Sequence, residues 1–211
     1  YVDLIYCHRP DPNTPIEETV WAMHNILEKG QALYWGTSEW KADQILKAYQ
    51  FASENSLHKP IVEQPQYNLL CRHKVEQEFA PLYEKCGLGL TIWSPLASGI
   101  LTGKYLGGKI PEGSRFSIKS MGWLKEGLMS KVPEANLKKF LNLCNELETT
   151  PASTAIAWCT KNTQVSSVIT GASNKAQILD NLQALEVKKR LTPEVMGLLN
   201  QIFPPGSVLD F

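Results

Sequence analysis

The chain has 211 residues, enough to bury a real core in one domain, and its 21 basic and 21 acidic residues cancel. With no net field, nothing draws it to nucleic acid or an anionic bilayer, and no apolar run approaches the roughly 20 residues that a membrane crossing needs. The five cysteines, Cys7, Cys71, Cys86, Cys144 and Cys159, are scattered and never in a CxxC pair, which predicts reduced thiols in a cytosolic protein and no metal site.

Residues Val2 to Cys7, VDLIYC, predict a strand covered on both faces. The opening YVDLIY lacks the basic start of a signal peptide, and a chain that opens on a strand reads as one that begins inside a fold. A helix start follows, with Thr14 as N-cap, Pro15 at the first helical position and Glu17 three residues after the cap. Ile16, Val20, Met23 and Leu27 form its apolar stripe, and Gly30 ends it. Leu33 to Gly36 is the next strand, Thr37-Ser38 a cap region, and Ala42, Ile45, Tyr49 and Ala52 mark the helix after it. Ile61 to Gln64 is a third strand, closed by Pro65, with a helix from Lys74 to Cys86 behind it. The fourth strand runs from Gly87 to Trp93. From Gly103 to Lys131 the pattern is irregular and rich in glycine. Helices resume at Glu134 to Leu147 and at Ala152 to Lys161, the second opened by Thr150-Pro151. Val165 to Thr170 is a fifth strand and Gly171 to Asn174 a tight turn. Lys175 to Leu185 reads as a helix with Ile178, Leu182 and Leu185 inward, and Pro193 to Ile202 is the last one.

The stretch GLTIWSPLASGILTGK, Gly89 to Lys104, organises this alternation. Its strand must stop at Ser94-Pro95, because proline holds its predecessor extended and donates no backbone hydrogen bond. The small residues Ala97, Ser98 and Gly99 then leave the backbone bare, and Lys104 adds a point charge, a combination suited to a phosphate-bearing ligand. Strands alternating with helices predict a parallel sheet in an α/β fold. An open doubly wound sheet carries its GxGxxG fingerprint after the first strand, and none is present. A (β/α)8 TIM barrel builds its phosphate site after its last strands, where SPLASG and GASN lie here. The barrel is therefore the expected fold, with three strands missing at the front.

The segments YCHRPDPNTPIEETV, YWGTSEW, PIVEQPQYN, WSPLASGILTGKY, AIAWC and VSSVITGASNKAQILDNL resemble the aldo-keto reductase superfamily. More narrowly they are similar to the β subunits of voltage-gated (Shaker-type) potassium channels, and GTSEW and YCHRPD resemble the plant branch. The resemblance runs from Tyr1 to about Leu199. It implies that residues 1–211 are the C-terminal part of one barrel domain lacking roughly the first three β/α units. It further implies an NADPH or NADP+ cofactor, a small carbonyl substrate, and a cytoplasmic homotetramer peripheral to the membrane through a channel α subunit, without inserting itself.

Carried over by position, the resemblance implies that His8 is catalytic, a neutral imidazole at a strand end that donates to a carbonyl oxygen as hydride arrives. Animal channel β subunits usually carry asparagine there. It implies that Ser38 and Gln64 hold the nicotinamide carboxamide, and that Trp93, Ser94, Pro95, Leu96, Ala97 and Ser98 line the pyrophosphate and ribose. Lys104 and Arg115 would face the phosphates, Gly171 and Ser173 the 2'-phosphate, and Gln177, Asp180 and Asn181 the adenine. Two positions depart from the animal members: Glu39 replaces arginine, which puts one phosphate-side or ribose contact in doubt, and Asp180 replaces glutamate. The superfamily's catalytic tyrosine, lysine and aspartate lie on the three units this sequence lacks, so carbonyl reduction is expected to lose its general acid, and two sheet edges to stand open. A channel β subunit, a stand-alone reductase and an inactive truncated fragment are the three readings.

Overall fold

The strand and helix alternation builds one five-stranded sheet whose order, β1-β2-β3-β4-β5, follows the chain. The strands are Val2–Cys7 (β1), Ala32–Thr37 (β2), Val62–Glu63 (β3), Gly89–Ile92 (β4) and Val165–Val168 (β5) in a computed structural model that describes residues 1–121 and 132–206. The last part of the irregular stretch, 122–131, lies outside the described residues. The pairs β1–β2, β2–β3 and β3–β4 are parallel, and Leu90 N donates to Gln164 O at 3.2 Å beside β5. A doubly wound sheet reverses its order at a switch point, whereas a barrel sheet is laid down strand by strand. The sequential order is of the barrel kind.

The helices among the described residues are Ile16–Glu28 (α1), Ala42–Glu54 (α2), Ala80–Cys86 (α3), Glu134–Glu146 (α4), Pro151–Lys161 (α5), Lys175–Leu182 (α6), Ala184–Arg190 (α7) and Pro193–Ile202 (α8). The residues group into two compact units. The first comprises Tyr1–Gln66, Lys74–Trp93 and Gln164–Ser167, and the second the rest of the described chain. In the first, Trp35, Ile45, Ala48, Leu82, Leu90 and Ile92 are buried, each large side chain contributing roughly 1.5–3 kcal/mol. Gly36 has to be glycine, since a Cβ there would lie 2.4 Å from both Cγ1 and the backbone oxygen of Val62 on the neighbouring strand. In the second unit, Trp158 on α5 is buried with its ring centroid 4.9 Å from that of Tyr67. Thr150 caps α5 as expected, its hydroxyl accepting from Ser153 N at 3.0 Å, with Pro151 opening the helix.

Five expectations are corrected. β1 is not covered on both faces: it ends the sheet order, Val2 is exposed, and Leu4 to Cys7 are only half-buried. Thr14 does not cap α1, because its hydroxyl donates to Asp11 Oδ2 at 2.7 Å; the cap region after β2 likewise shifts to Lys41, whose N–H is taken by Gln44 Oε1 at 2.9 Å. The segment from Lys74 to Cys86 is a π turn, Lys74–Glu78, followed by α3. Pro81 has no N–H for the preceding turn, and Phe79 N reaches five residues back to Lys74 O at 2.9 Å. Finally, Ile178, Leu182 and Leu185 are not inward but 51%, 57% and 64% exposed. The helix breaks at Gln183, and Ala184 and Val187 on α7 make the buried contact instead. A helical period shows that one face is apolar, not that a partner covers it.

Candidate functional site

In the first unit the strand ends are tied together by one serine. Ser38, directly after β2 and 2% exposed, donates its backbone N–H to Cys7 O on β1 at 3.0 Å. Its hydroxyl donates to Gln64 O at 2.9 Å and accepts from the Arg9 guanidinium at 3.2 Å. Arg9 also donates to His8 O. Gln64 N in turn donates to Thr37 O at 2.8 Å. His8, Ser38 and Gln64 thus stand at the ends of β1, β2 and β3, with His8 exposed and Gln64 half-buried. An imidazole and an amide there offer both donors and acceptors to a ligand.

Beside them sits an ionic knot. Glu39 has a backbone φ of 59°, a left-handed conformation that a non-glycine residue adopts at a cost. Its Oε1 accepts from Gln66 N at 2.6 Å and from the Trp93 indole at 2.9 Å, and its Oε2 from Lys74 Nζ at 2.8 Å. Burial pushes its pKa up, but Lys74 and the two N–H donors outweigh it and hold the carboxyl below the ordinary carboxylate range. Glu63, fully buried on β3, goes the other way. Desolvation raises its pKa to about 7 although the Thr37 hydroxyl donates to it. Two carboxyls in one neighbourhood are thereby held in opposite protonation tendencies, the charged one by donors and the other by burial.

The second unit holds the small-residue loop. Ser94, Ala97 and Ser98 have φ of 55°, 47° and 57°, and Gly99 one of 95°. Asn68, fully buried, fastens this turn: its Nδ2 donates to Ser94 O at 2.9 Å while its Oδ1 accepts from Leu70 N and Cys71 N. Pro95 and Ala97 are buried and Leu96 half-buried. Gly99 leaves room for the exposed Lys104, whose Nζ lies 2.8 Å from where a Cβ of Gly99 would be. Tyr105 stacks on Phe116 with centroids 4.4 Å apart, which draws together the segments carrying Lys104 and the exposed Arg115. In the turn before α6, Gln177 Oε1 accepts from Ser173 N at 2.7 Å and from its hydroxyl at 3.1 Å, and Asn181 Nδ2 donates to Gly171 O at 3.4 Å. Gly171, Ser173, Gln177 and Asn181 are therefore one cluster. Asp180 points elsewhere: its carboxylate accepts from the Thr150 hydroxyl at 2.6 Å.

The aldo/keto reductase family profile matches residues 1–203. The chain belongs to the aldo/keto reductase family. Among curated proteins, it is 51% identical over 202 residues to a probable voltage-gated potassium channel subunit beta of Oryza sativa subsp. japonica. It has the same identity over the same length to the protein of that description from Arabidopsis thaliana. Each match covers 96% of this chain and 62% of the relative, so this aldo/keto reductase chain spans less than two thirds of the proteins it matches.

Sequence reasoning missed residues that hold these strand ends in shape. Arg9, Lys74 and Glu63 are not among the expected site residues, and Glu39 is noted only as a departure; Arg9, Glu39 and Glu63 are charged side chains at or just past strand ends, and Lys74 opens the π turn. That position is the available signal, since a charge beside a sheet terminus needs a partner. The partner for Glu39 lies 35 residues away at Lys74, and no local period reveals it.

Proposed function

We propose that the chain binds NADP(H) and serves as a β subunit of a voltage-gated potassium channel, so that nucleotide state or carbonyl turnover bears on the channel. The observation that carries this reading is the 51% identity to two plant proteins described as probable channel β subunits, sustained over 96% of the chain. The residues fit the chemistry. Gln64 and Ser38 carry the amide and hydroxyl that a carboxamide pairs with, and Lys104 and Arg115 are exposed cations suited to phosphate. Asn174 caps α6 through Gln177 N at 3.0 Å, leaving the Gly171 to Ser173 turn at the positive end of that helix for a further phosphate. The loop Trp93 to Ser98 would lie along the pyrophosphate.

The nucleotide, when bound, supplies the hydride. The chain's part is to hold the carbonyl oxygen by a hydrogen bond from the His8 imidazole, and to position the carboxamide through Ser38 and Gln64. In this reading the protein assembles as a homotetramer on the cytoplasmic side of a Shaker-type α subunit, without insertion of its own; no described helix is long and apolar enough to cross a membrane. Co-purification with a Shaker-type α subunit tests it, and failure to co-purify with nucleotide present rejects the channel role. The second reading, a stand-alone NADPH-dependent reductase of aldehydes or ketones, is favoured by His8, the enzyme-like choice at its position. Aldehyde-dependent NADPH oxidation separates the two. We expect none from residues 1–211 and restored turnover when the family's tyrosine-bearing units are added in front; turnover by the 211 residues alone would defeat the assignment of the proton donor to those units.

A further inference from the structure

We propose a metal site of the zinc type on the outside of the first unit, formed by His24 and Glu28 of α1 and His58 of the segment between α2 and β3. Among the described residues these are the group of three metal-ligating side chains whose ligand atoms all lie within 4.8 Å of one another. No metal site is expected from the cysteines, and histidine spacing alone conceals this one, because His58 is 30 residues beyond Glu28 in the chain. His24 and Glu28 stand four apart on one helix, which places both on the same face. His58 Nε2 is already 2.8 Å from Glu28 Oε1. The His24 and His58 rings are 5.1 Å apart, and Trp21 braces His24 edge-on at 5.8 Å.

His24 Nδ1 accepts from His58 N across a long 3.3 Å, a weak contact that a small turn of the ring gives up, so that a ring nitrogen can face an ion instead. His58 is positioned from beneath, its carbonyl accepting from the indole of the fully buried Trp35 at 2.8 Å. The neighbouring Lys59 ammonium is held over the Tyr49 ring, 5.1 Å from its centroid. Tetrahedral zinc with bonds of about 2.0–2.2 Å puts its ligand atoms roughly 3.3 Å apart. Reaching that from separations of up to 4.8 Å calls on side-chain rotation, for which Glu28 and His58 have room, with side chains 59% and 47% exposed. The interaction given up is an exposed His–Glu pair of small net worth. Two imidazoles and one carboxylate suit Zn2+ and leave a fourth position for water; bound there, the ion would staple α1 to the start of β3.

The test titrates Zn2+ into the purified, nucleotide-free protein by calorimetry, with Co2+ as the visible-absorbing probe. One ion per chain is expected. His24→Ala and His58→Ala should each weaken binding by roughly tenfold or more, while His73→Ala leaves it within about twofold. Histidine-ring NMR of the unaltered protein needs no variant: one equivalent of Zn2+ should move the His24 and His58 signals and spare His8 and His73. Absence of saturable binding, equal binding by all variants, or movement of His8 or His73 instead overturns the proposal.

Discussion

Replacing Glu63 by glutamine isolates a carboxyl in which burial outweighs the groups that favour its charge. The side chain is fully buried, Thr37 donates to Oε2, and Oε1 has no partner among the described residues. Desolvation moves its pKa from 4.5 to about 7. The folded protein therefore keeps a proton that the unfolded chain releases across that interval, so the stabilisation is complete below the unfolded value and is lost as pH rises through about 7. The gap between the two values corresponds to roughly 3 kcal/mol. The variant Glu63→Gln cannot ionise and keeps an acceptor for Thr37. It is expected to match the parent below about pH 4 and to exceed its stability by roughly 3 kcal/mol at about pH 8. Urea unfolding followed by tryptophan fluorescence at stepped pH measures this. A difference between the two proteins that stays flat with pH refutes the reasoning.

Glu39→Ala strips the acceptor from Lys74, Gln66 N and Trp93 and should cost roughly 2–4 kcal/mol in the same assay. Because the Glu39 pKa is lowered, its contribution is present above the unfolded carboxylate value and fades as pH falls through the depressed one, the reverse of Glu63. Gly36→Ala drives a Cβ to 2.4 Å from Val62 backbone and should lower the urea midpoint by the equivalent of about 3 kcal/mol. Gly171→Ala, with nothing within 4 Å of the added atom, should stay within about 0.5 kcal/mol. Lys104→Ala should weaken NADPH binding by about tenfold in a fluorescence titration, with less loss at high salt because the screened charge counts for less. An unchanged Kd removes Lys104 from the phosphate site. Cys144 and Cys159, buried thiols with raised pKa, should label with iodoacetamide only as the protein unfolds, read by peptide mass spectrometry.

The sequence by itself determined most of the elements and their order. β1 spans Val2–Cys7 as read, the Thr150-Pro151 start of α5 stands, and the absence of a GxGxxG fingerprint pointed to the barrel-type order of the sheet. These follow from periodicity, caps and proline chemistry, all of which act within a few residues. The residues expected to touch a ligand were legible only through long motifs; the structure puts His8, Ser38 and Gln64 at strand ends. Only the tertiary structure decided which polar groups are used up internally. It gave Glu39 three donors, sent Asp180 to Thr150, left Ile178 and Leu182 exposed, and brought His58 to His24 and Glu28. Such partners are chosen by how sheet and helices pack, over separations of 27 residues or more, and burial or desolvation exists only once that packing is made.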